Sequence, residues 1–449
     1  MSKRTFTRRR FLKAGAALGA GWAVSSGWTA LSRSRVAGAN SRLNLAFVGV
    51  GGMGFSNLAI MTGNRNPQYG ERAERISGTQ AVALCDVDLE RAARAFNNYP
   101  DAAKYRDYRK MLDEMEGDID AVVVSTPDHV HAPASVTAMR MGKHVYCEKP
   151  GAHSVYETRV MADVAREQGV ATQLGTQVHA SGNFRRVVEL IRAGAIGEVN
   201  ACHIWRRSGS STQDRPTDTP PIPGELDWDL WLGPAPRRPY HPTYVPRGWR
   251  RWWDFGGGGP GDMGCHYMDL PFWALDLYHA ATIEADGPDP HSETAPGRLL
   301  VRYTFERGDD KPPVTLTWTH GRTPRAVFAE HDFPRWAWGV FVGDKGMLLA
   351  DYNQHQLWPE ADFGDYEPPE PSIAPSVGHR REWLDACRGE GEALCGFERS
   401  MCIAETVLLG NVAHRSGRKL EWNAEQFTID NAHEAEGFLQ RGYRPGWTL

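Results

Sequence analysis

The chain has 449 residues, 41% hydrophobic and 24% charged, which is length enough for two domains that each bury a core. The first 39 residues hold eight basic and no acidic side chains, so without them the formal net charge of −4 becomes −12. A body that acidic is unsuited to nucleic acid or to an anionic membrane surface, and both are excluded as partners.

Residues 1–39 read as a removable signal rather than as part of the fold. Arg8, Arg9 and Arg10 stand before Phe11-Leu12-Lys13 and a small, weakly apolar run from Ala14 to Ala30, the pattern of a twin-arginine export signal. Ala37-Gly38-Ala39 is the expected cleavage site, and retention as an uncleaved anchor is the alternative. The mature protein is then expected to be periplasmic or otherwise extracytoplasmic, with no membrane attachment after cleavage. No later stretch is long and apolar enough to span a bilayer. Seven cysteines form no C-x-x-C pair and no zinc spacing, so most are expected as buried thiols. One disulfide is possible, among Cys387, Cys395 and Cys402.

The fold begins with an apolar strand, Leu43 to Val50. It runs into Gly49-Val50-Gly51-Gly52-Met53-Gly54 and then a helical pattern through Leu58 and Met61. Strand, G-x-G-x-x-G and helix stand in the order that cradles a dinucleotide. The first glycine makes the turn, the second admits a pyrophosphate to the backbone, and the third lets helix and strand pack closely. A second strand, Ala81 to Cys85, ends in Asp86, which is placed to accept hydrogen bonds from the adenosine ribose and to disfavour a 2′-phosphate. Asp86 lies 32 residues beyond Gly54, against about 20 in the usual pattern. The polar stretch Gly63 to Gly78 accounts for the excess as a surface insertion. The cofactor expected is therefore NAD. NADP stays open because Arg91, folded over the ribose, would weaken the preference.

Leu89 to Asn98 reads as a helix, Met111 to Met115 as the end of another, and Ile119 to Ser125 as a strand buried on both faces. Thr126-Pro127-Asp128-His129-Val130-His131 closes that strand, and a helix is expected from Ala132 to Met141. His129 and His131, two apart, do not make a metal pair, and no metal is expected. The strand His144 to Cys147 then ends in Glu148-Lys149-Pro150, at the carboxyl edge where open α/β sheets bind ligands. These βα repeats make residues 40–150 a doubly wound parallel sheet. Lys149 would lie beside a bound cofactor; the alternative is that Glu148 and Lys149 form a solvated turn.

Beyond residue 150 the pattern changes. Thr158 to Gln168 and Phe184 to Ala193 look helical, and Val199 to Arg207 alternates like a strand. From Ser208 to Gly259 the chain is dense in Pro, Gly, Arg and Trp, including Trp228, Trp231, Trp249, Trp252 and Trp253 with Arg237, Arg238, Arg247, Arg250 and Arg251. Such a segment is either a carbohydrate-binding rim, with indole faces on sugar rings, or an aromatic fastening to its own domain or a neighbouring subunit. Gln177, Arg251, Trp253 and Tyr267 are the candidate substrate contacts. Asp262 and His266 are i and i+4 if a helix starts near Gly261, which puts them on one face. Asp262 is alternatively an N-cap, and His266 a core histidine. Runs at Leu299 to Phe305, Val314 to Trp318, Trp338 to Val342 and Met347 to Ala350 suggest an antiparallel sheet, so residues 151–425 form a second, α+β domain. Residues 426–449 are expected to wrap onto the body.

This combination of motifs resembles the Gfo/Idh/MocA family of glucose-fructose oxidoreductases and inositol dehydrogenases from Arg42 to Trp422. The resemblance rests on Gly49 to Gly54, on Thr126-Pro127 with His131, on Glu148-Lys149-Pro150, and on Asp262 with His266. It implies an N-terminal Rossmann domain and a C-terminal domain with a large open mixed sheet, through which a homo-oligomer, dimer or tetramer, is expected. Gly49, Gly51, Gly52, Met53, Gly54, Asp86, Ser125, Thr126, His131 and Glu148 would contact the cofactor. Lys149, Asp262 and His266 would carry catalysis, with His266 as base and Asp262 as its partner. The activity implied is hydride transfer from a sugar or polyol hydroxyl, with a tightly bound cofactor restored within each cycle. Two alternatives stand beside it: a redox-neutral glycosidase that oxidises, eliminates and reduces again, similar to the NAD-dependent α-N-acetylgalactosaminidases of that family, and a sugar-binding protein without catalysis.

Overall fold

A computed structural model of the chain describes residues 42–63, 76–209, 211–308, 311–321 and 331–449. The expected signal, residues 1–39, and most of the insertion between Gly63 and Gly78 lie outside the described residues. Six strands form the first sheet: β1 Leu43–Val48, β2 Thr79–Cys85, β3 Ala103–Tyr105, β4 Ala121–Val124, β5 His144–Glu148 and β6 Thr172–Gly175. Their order is β3-β2-β1-β4-β5-β6, with every neighbouring pair parallel. Every residue of β4 is buried, as a strand covered on both faces must be.

The crossover helices start where short polar side chains satisfy their first amides. Asp88 and Asp107 accept from the N–H groups of Arg91 and Arg109, and Ser154 and Glu157 form a capping box. One helix starts earlier than its apolar pattern indicated. It spans Asp128–Arg140 rather than beginning at Ala132, with Pro127 at the N-cap position making no side-chain hydrogen bond and with a polar first turn. His129 and His131 therefore lie inside the helix.

The first sheet continues past residue 150, since β6 pairs with β5. A helix from far along the chain, His379–Cys387, also belongs to this layer and buries Trp383 and Leu384 with Phe47, Leu58 and Tyr146.

The second sheet has nine strands: β7 Val199–Arg206, β8 Thr282–Asp286, β9 Leu299–Phe305, β10 Val314–His320, β11 Gly339–Gly343, β12 Gly346–Ala350, β13 His355–Trp358, β14 Leu420–Asn423 and β15 Thr428–Ile429. They run in the order β13-β12-β11-β7-β10-β9-β8-β14-β15. The expected antiparallel runs are there, but β7 pairs parallel with β10, so the sheet is mixed. Helices Gly258–Leu275 and Phe397–Ser416 pack against each other at Gly264, where a Cβ would come within 2.7 Å of the Val407 side chain.

The tryptophan-rich segment packs largely on itself. Trp228 and Trp231 stack with centroids 4.7 Å apart, Tyr244 meets Trp252 edge-on at 4.9 Å, and the Arg238 guanidinium lies 4.9 Å from the Phe255 ring. Among the final residues, Arg441 pairs with Glu157 and Arg444 with Asp229, each at 2.7 Å, and Trp447 packs on Tyr108. All seven cysteines are free, so the possible disulfide is not formed. Among the described residues, no helix is long and apolar enough to cross a membrane.

Candidate active site

A cavity of about 610 Å³ runs along the carboxyl edge of the first sheet. Gly49, Gly51, Gly52, Met53, Asp86, Ser125, Thr126, His131, Glu148, Lys149, Asp262 and His266 all line it. Gly54 does not reach the cavity, for the reason that makes it a glycine: a Cβ there would lie 1.8 Å from the Gly49 carbonyl oxygen. At Gly52 an added Cβ would meet, among the described residues beyond its chain neighbours, a terminal nitrogen of Arg91 at 3.6 Å, so the turn presents bare backbone to the cavity. Gly52 caps the helix Met53–Met61 without a side-chain hydrogen bond, leaving that N-terminus to meet an anion.

Asp86 Oδ2 accepts from the backbone N–H of Val50 at 2.9 Å and of Gly51 at 3.2 Å, which fixes the turn against the end of β2. This cradle fits a dinucleotide, with the glycine turn for its pyrophosphate and Asp86 for its ribose. Arg91 stands over the same glycines, and Trp447 closes another part of the wall, with the Arg109 guanidinium 4.0 Å from its ring.

Toward Lys149 the cavity becomes crowded with charge. Lys149 Nζ donates to the main-chain oxygen of Asp262 and to its Oδ1 at 3.1 Å. Arg250 Nε reaches the same Oδ1 at 2.9 Å, and an Arg206 nitrogen reaches Oδ2 at 3.3 Å. Burial acts to raise the Asp262 pKa, but the charges of Lys149 and then Arg250 outweigh it and hold the group at about 2. Asp262 is thus a permanent carboxylate. The helix starts at Gly258, so Asp262 lies in its second turn and is not an N-cap.

His266 sits one turn further on, and burial together with the Lys149 charge lowers its pKa to about 3. It is a neutral imidazole at ordinary pH, with its Nδ1 buried and without a partner among the described residues. No hydrogen bond among those described joins it to Asp262, whose oxygens are taken by Lys149, Arg250 and Arg206. Asp262 therefore acts on His266 through its charge and is not its hydrogen-bonded partner. His131 is also held neutral by burial, at about 3, and its Nε2 lies 2.8 Å from the Thr126 carbonyl, which ties the helix start to β4.

Four candidate substrate contacts lie off the cavity wall. Gln177 donates to Glu148 Oε1 at 2.9 Å from behind it. Arg251 turns to Gln213 at 3.5 Å. Trp253 donates to the His291 carbonyl at 2.9 Å and lines a separate cavity of about 30 Å³ with His153 and Arg415. The Tyr267 ring packs with Trp318, Trp338 and Tyr352.

Asp128 is a wall residue that the sequence did not single out. Burial lifts its pKa to about 7 against the opposing charges of Lys149 and Arg250, while Asp262 pushes it further up and the Gly257 N–H donates to it. A carboxyl raised from its unfolded value near 4 gains no ionisation penalty below that pH, acquires it between about 4 and 7, and carries it in full above 7. Asp128→Asn should therefore match the wild type in thermal melts below about pH 4. Above about pH 7 it should be the more stable, by up to about 4 kcal/mol. Coincident melting curves across the whole range would contradict this.

Comparison with known proteins bears out the architecture. Residues 43–176 match the model of the Gfo/Idh/MocA NAD-binding Rossmann domain, and residues 198–311 match the C-terminal alpha/beta domain of the same oxidoreductase family. The chain belongs to the Gfo/Idh/MocA oxidoreductase family. Within it, the chain is 31% identical over 216 residues to a glycosyl hydrolase family 109 protein of Saccharopolyspora erythraea, covering 43% of this chain and 44% of that one. It is 26% identical over 163 residues to inositol 2-dehydrogenase of Salmonella typhimurium, covering 36% and 45%. The chain thus spans less than half the length of these curated relatives. The WlbA dehydrogenase of Bordetella pertussis, solved with NADH and UDP-GlcNAcA, shares the fold at a TM-score of 0.59 and 17% identity, over 86% of this chain and all of that one.

Proposed function

We propose that this family member oxidises a hydroxyl of a sugar or polyol by hydride transfer to NAD. The observation that carries the proposal is the meeting of Lys149, Asp262 and His266 in the cavity that the glycine turn opens. A nicotinamide held there supplies the hydride acceptor. The remaining work falls to side chains. Lys149, fixed by Asp262, donates a hydrogen bond to the hydroxyl oxygen. His266, kept neutral by burial, takes the hydroxyl proton as the C–H bond breaks, since a general base must lie within hydrogen-bond reach of that oxygen. Asp262 stays charged throughout and holds Lys149 in place.

The twin-arginine pattern at Arg8 and Arg9 supports export with the cofactor already loaded, and the long second sheet supports assembly into a homo-oligomer. A cofactor carried out of the cytoplasm must be restored within each cycle.

Denaturing protein purified without added cofactor and identifying the released dinucleotide by mass spectrometry tests the reading. Near-stoichiometric NAD(H) is expected. NADP(H) would overturn the assignment of Asp86, and a protein that neither holds nor binds a dinucleotide would overturn the proposal.

The identity to a glycosyl hydrolase family 109 protein favours a second reading, redox-neutral cleavage of a glycoside. There, oxidation at one carbon acidifies the neighbouring C–H, loss of that proton expels the leaving group as its alcohol, water adds across the double bond so formed, and return of the hydride restores the sugar. Release of an aglycone without net NADH would favour this second reading. NADH that accumulates in the absence of an acceptor would favour the first.

A further inference from the structure

Three cations share one carboxylate at the edge of this cavity: Lys149, Arg250 and Asp262 line it, and Arg206 reaches Asp262 from beyond the lining. Lys149, Arg206 and Arg250 all pair with Asp262, at 3.1, 3.3 and 2.9 Å. Arg247 lines the same cavity and adds a fourth positive group. Two further acids face this region: Asp128 is lifted to about 7 by burial and so offsets the excess only in part at neutral pH, and Glu148, also raised by burial, turns its Oε1 to Asn57 and Gln177. The glycine turn with its helix N-terminus already accounts for the phosphates of a dinucleotide, and the oxidised nicotinamide brings a positive charge of its own. Among the described residues the cationic cluster is left short of anions.

Its geometry suits a ligand. Lys149 is enclosed, with 15% of its side chain exposed, whereas Arg206 and Arg250 keep 29% and 40% and are open to an incoming group. Each is anchored on its inner side. Arg250 stacks over Trp249 at 4.3 Å, and Arg206 closes β7, within electrostatic reach of Tyr267 and Tyr352. A guanidinium held this way loses little freedom on binding and matches the fork of a carboxylate or the oxygens of a phosphate. Excess charge at a partly buried site is unfavourable until a ligand neutralises it.

Building on the carbohydrate reading, we propose that the substrate is an anionic sugar, whose acid group is received by Arg206 and Arg250 beside Asp262. The same cluster draws such a substrate toward the cavity and selects against its neutral parent.

The test is calorimetric titration of the NAD-saturated protein with a panel of hexuronates, hexonates and hexose 6-phosphates, each set against its neutral parent, at low and high salt. At least one anionic sugar should bind about tenfold or more tighter than its parent. That advantage should shrink at high salt, fall to within about twofold in Arg206→Gln, and persist in large part in Arg206→Lys. Uronates ahead of phosphates would identify the acid as a carboxylate, and the reverse order a phosphate. Neutral sugars that bind as well as every charged one would overturn this inference and leave the carbohydrate reading standing. So would an advantage that survives Arg206→Gln, or, should that variant fail to fold, one that is indifferent to salt. Absence of binding by any sugar, charged or neutral, would bring down both.

Discussion

Lys149→Met should lower turnover by about 10²- to 10⁴-fold while leaving the dinucleotide bound. The two outcomes separate because the residues involved are separate. The cradle for the cofactor is built from Gly49 to Gly54 and Asp86, none of which Lys149 touches in the hydrogen bonds described. Methionine keeps the length of the chain and removes the charge. Asp262 is not orphaned by the change, because Arg250 and Arg206 still hold both of its oxygens, so the helix Gly258–Leu275 should keep its position. What disappears is the donor proposed for the substrate oxygen. The electrostatics shift in stated directions as well. Lys149 lowers the pKa of both His266 and Asp128, so in the variant both should titrate at higher pH. The pH profile of any residual activity should move upward accordingly. Single-turnover reduction of bound cofactor, followed with whichever sugar the wild type uses, reads the rate. Mass spectrometry of the released dinucleotide reads the occupancy. Full activity in the variant would remove Lys149 from the chemistry.

Local patterns made the cofactor half of this site legible. Gly49 to Gly54, Asp86 and Lys149 each sit at the end of a strand whose apolar run is continuous in the sequence, and their roles depend on spacing over a few residues. Asp262 and His266 were legible in the same way, as i and i+4 on one helix. The charged cluster was not. Arg206, Arg250 and Lys149 come from three different elements and converge only because the second domain folds against the first. The run Arg250-Arg251-Trp252-Trp253 shows the limit closely. Gly248–Arg251 is a tight 3₁₀ turn, so adjacent side chains leave it in different directions. Arg250 goes to Asp262 while Arg251 goes to Gln213. Composition identified the segment as rich in arginine and tryptophan, but it could not say which of the two faces the cavity. Most of its aromatic surface is spent inside the segment, on contacts such as Trp228 with Trp231, and Trp231 and Trp249 reach the cavity wall. Asp128 was passed over for a related reason. The helix was expected only from Ala132, which left Asp128 in the segment closing the strand, and its raised pKa comes from burial and from charges placed by other elements.

The other large effect is expected at Gly54. Replacement by alanine, the smallest change available, should destabilise the protein by about 3 kcal/mol or more and abolish cofactor binding. The added Cβ would lie 1.8 Å from the Gly49 carbonyl oxygen, 2.8 Å from its carbon and 3.2 Å from the Ser125 Cβ. Two of those three contacts are backbone, so no rotamer change relieves them. The helix Met53–Met61 must move away from β1, and the interface it leaves is fully packed: Phe47, Leu58 and Met61 each have no exposed surface. Opening that interface costs buried apolar contact. It also carries the helix N-terminus away from the turn that Asp86 holds through the Val50 and Gly51 amides, which dismantles the anion site. Thermal melts with and without added NAD separate the two consequences. The wild type should melt higher as NAD is added, by mass action on the folded state. Gly54→Ala should melt lower from the outset and show no response to the cofactor. A variant with wild-type stability and a normal NAD response would mean that the helix and strand do not approach each other this closely, and the cradle proposed for the dinucleotide would have to be redrawn.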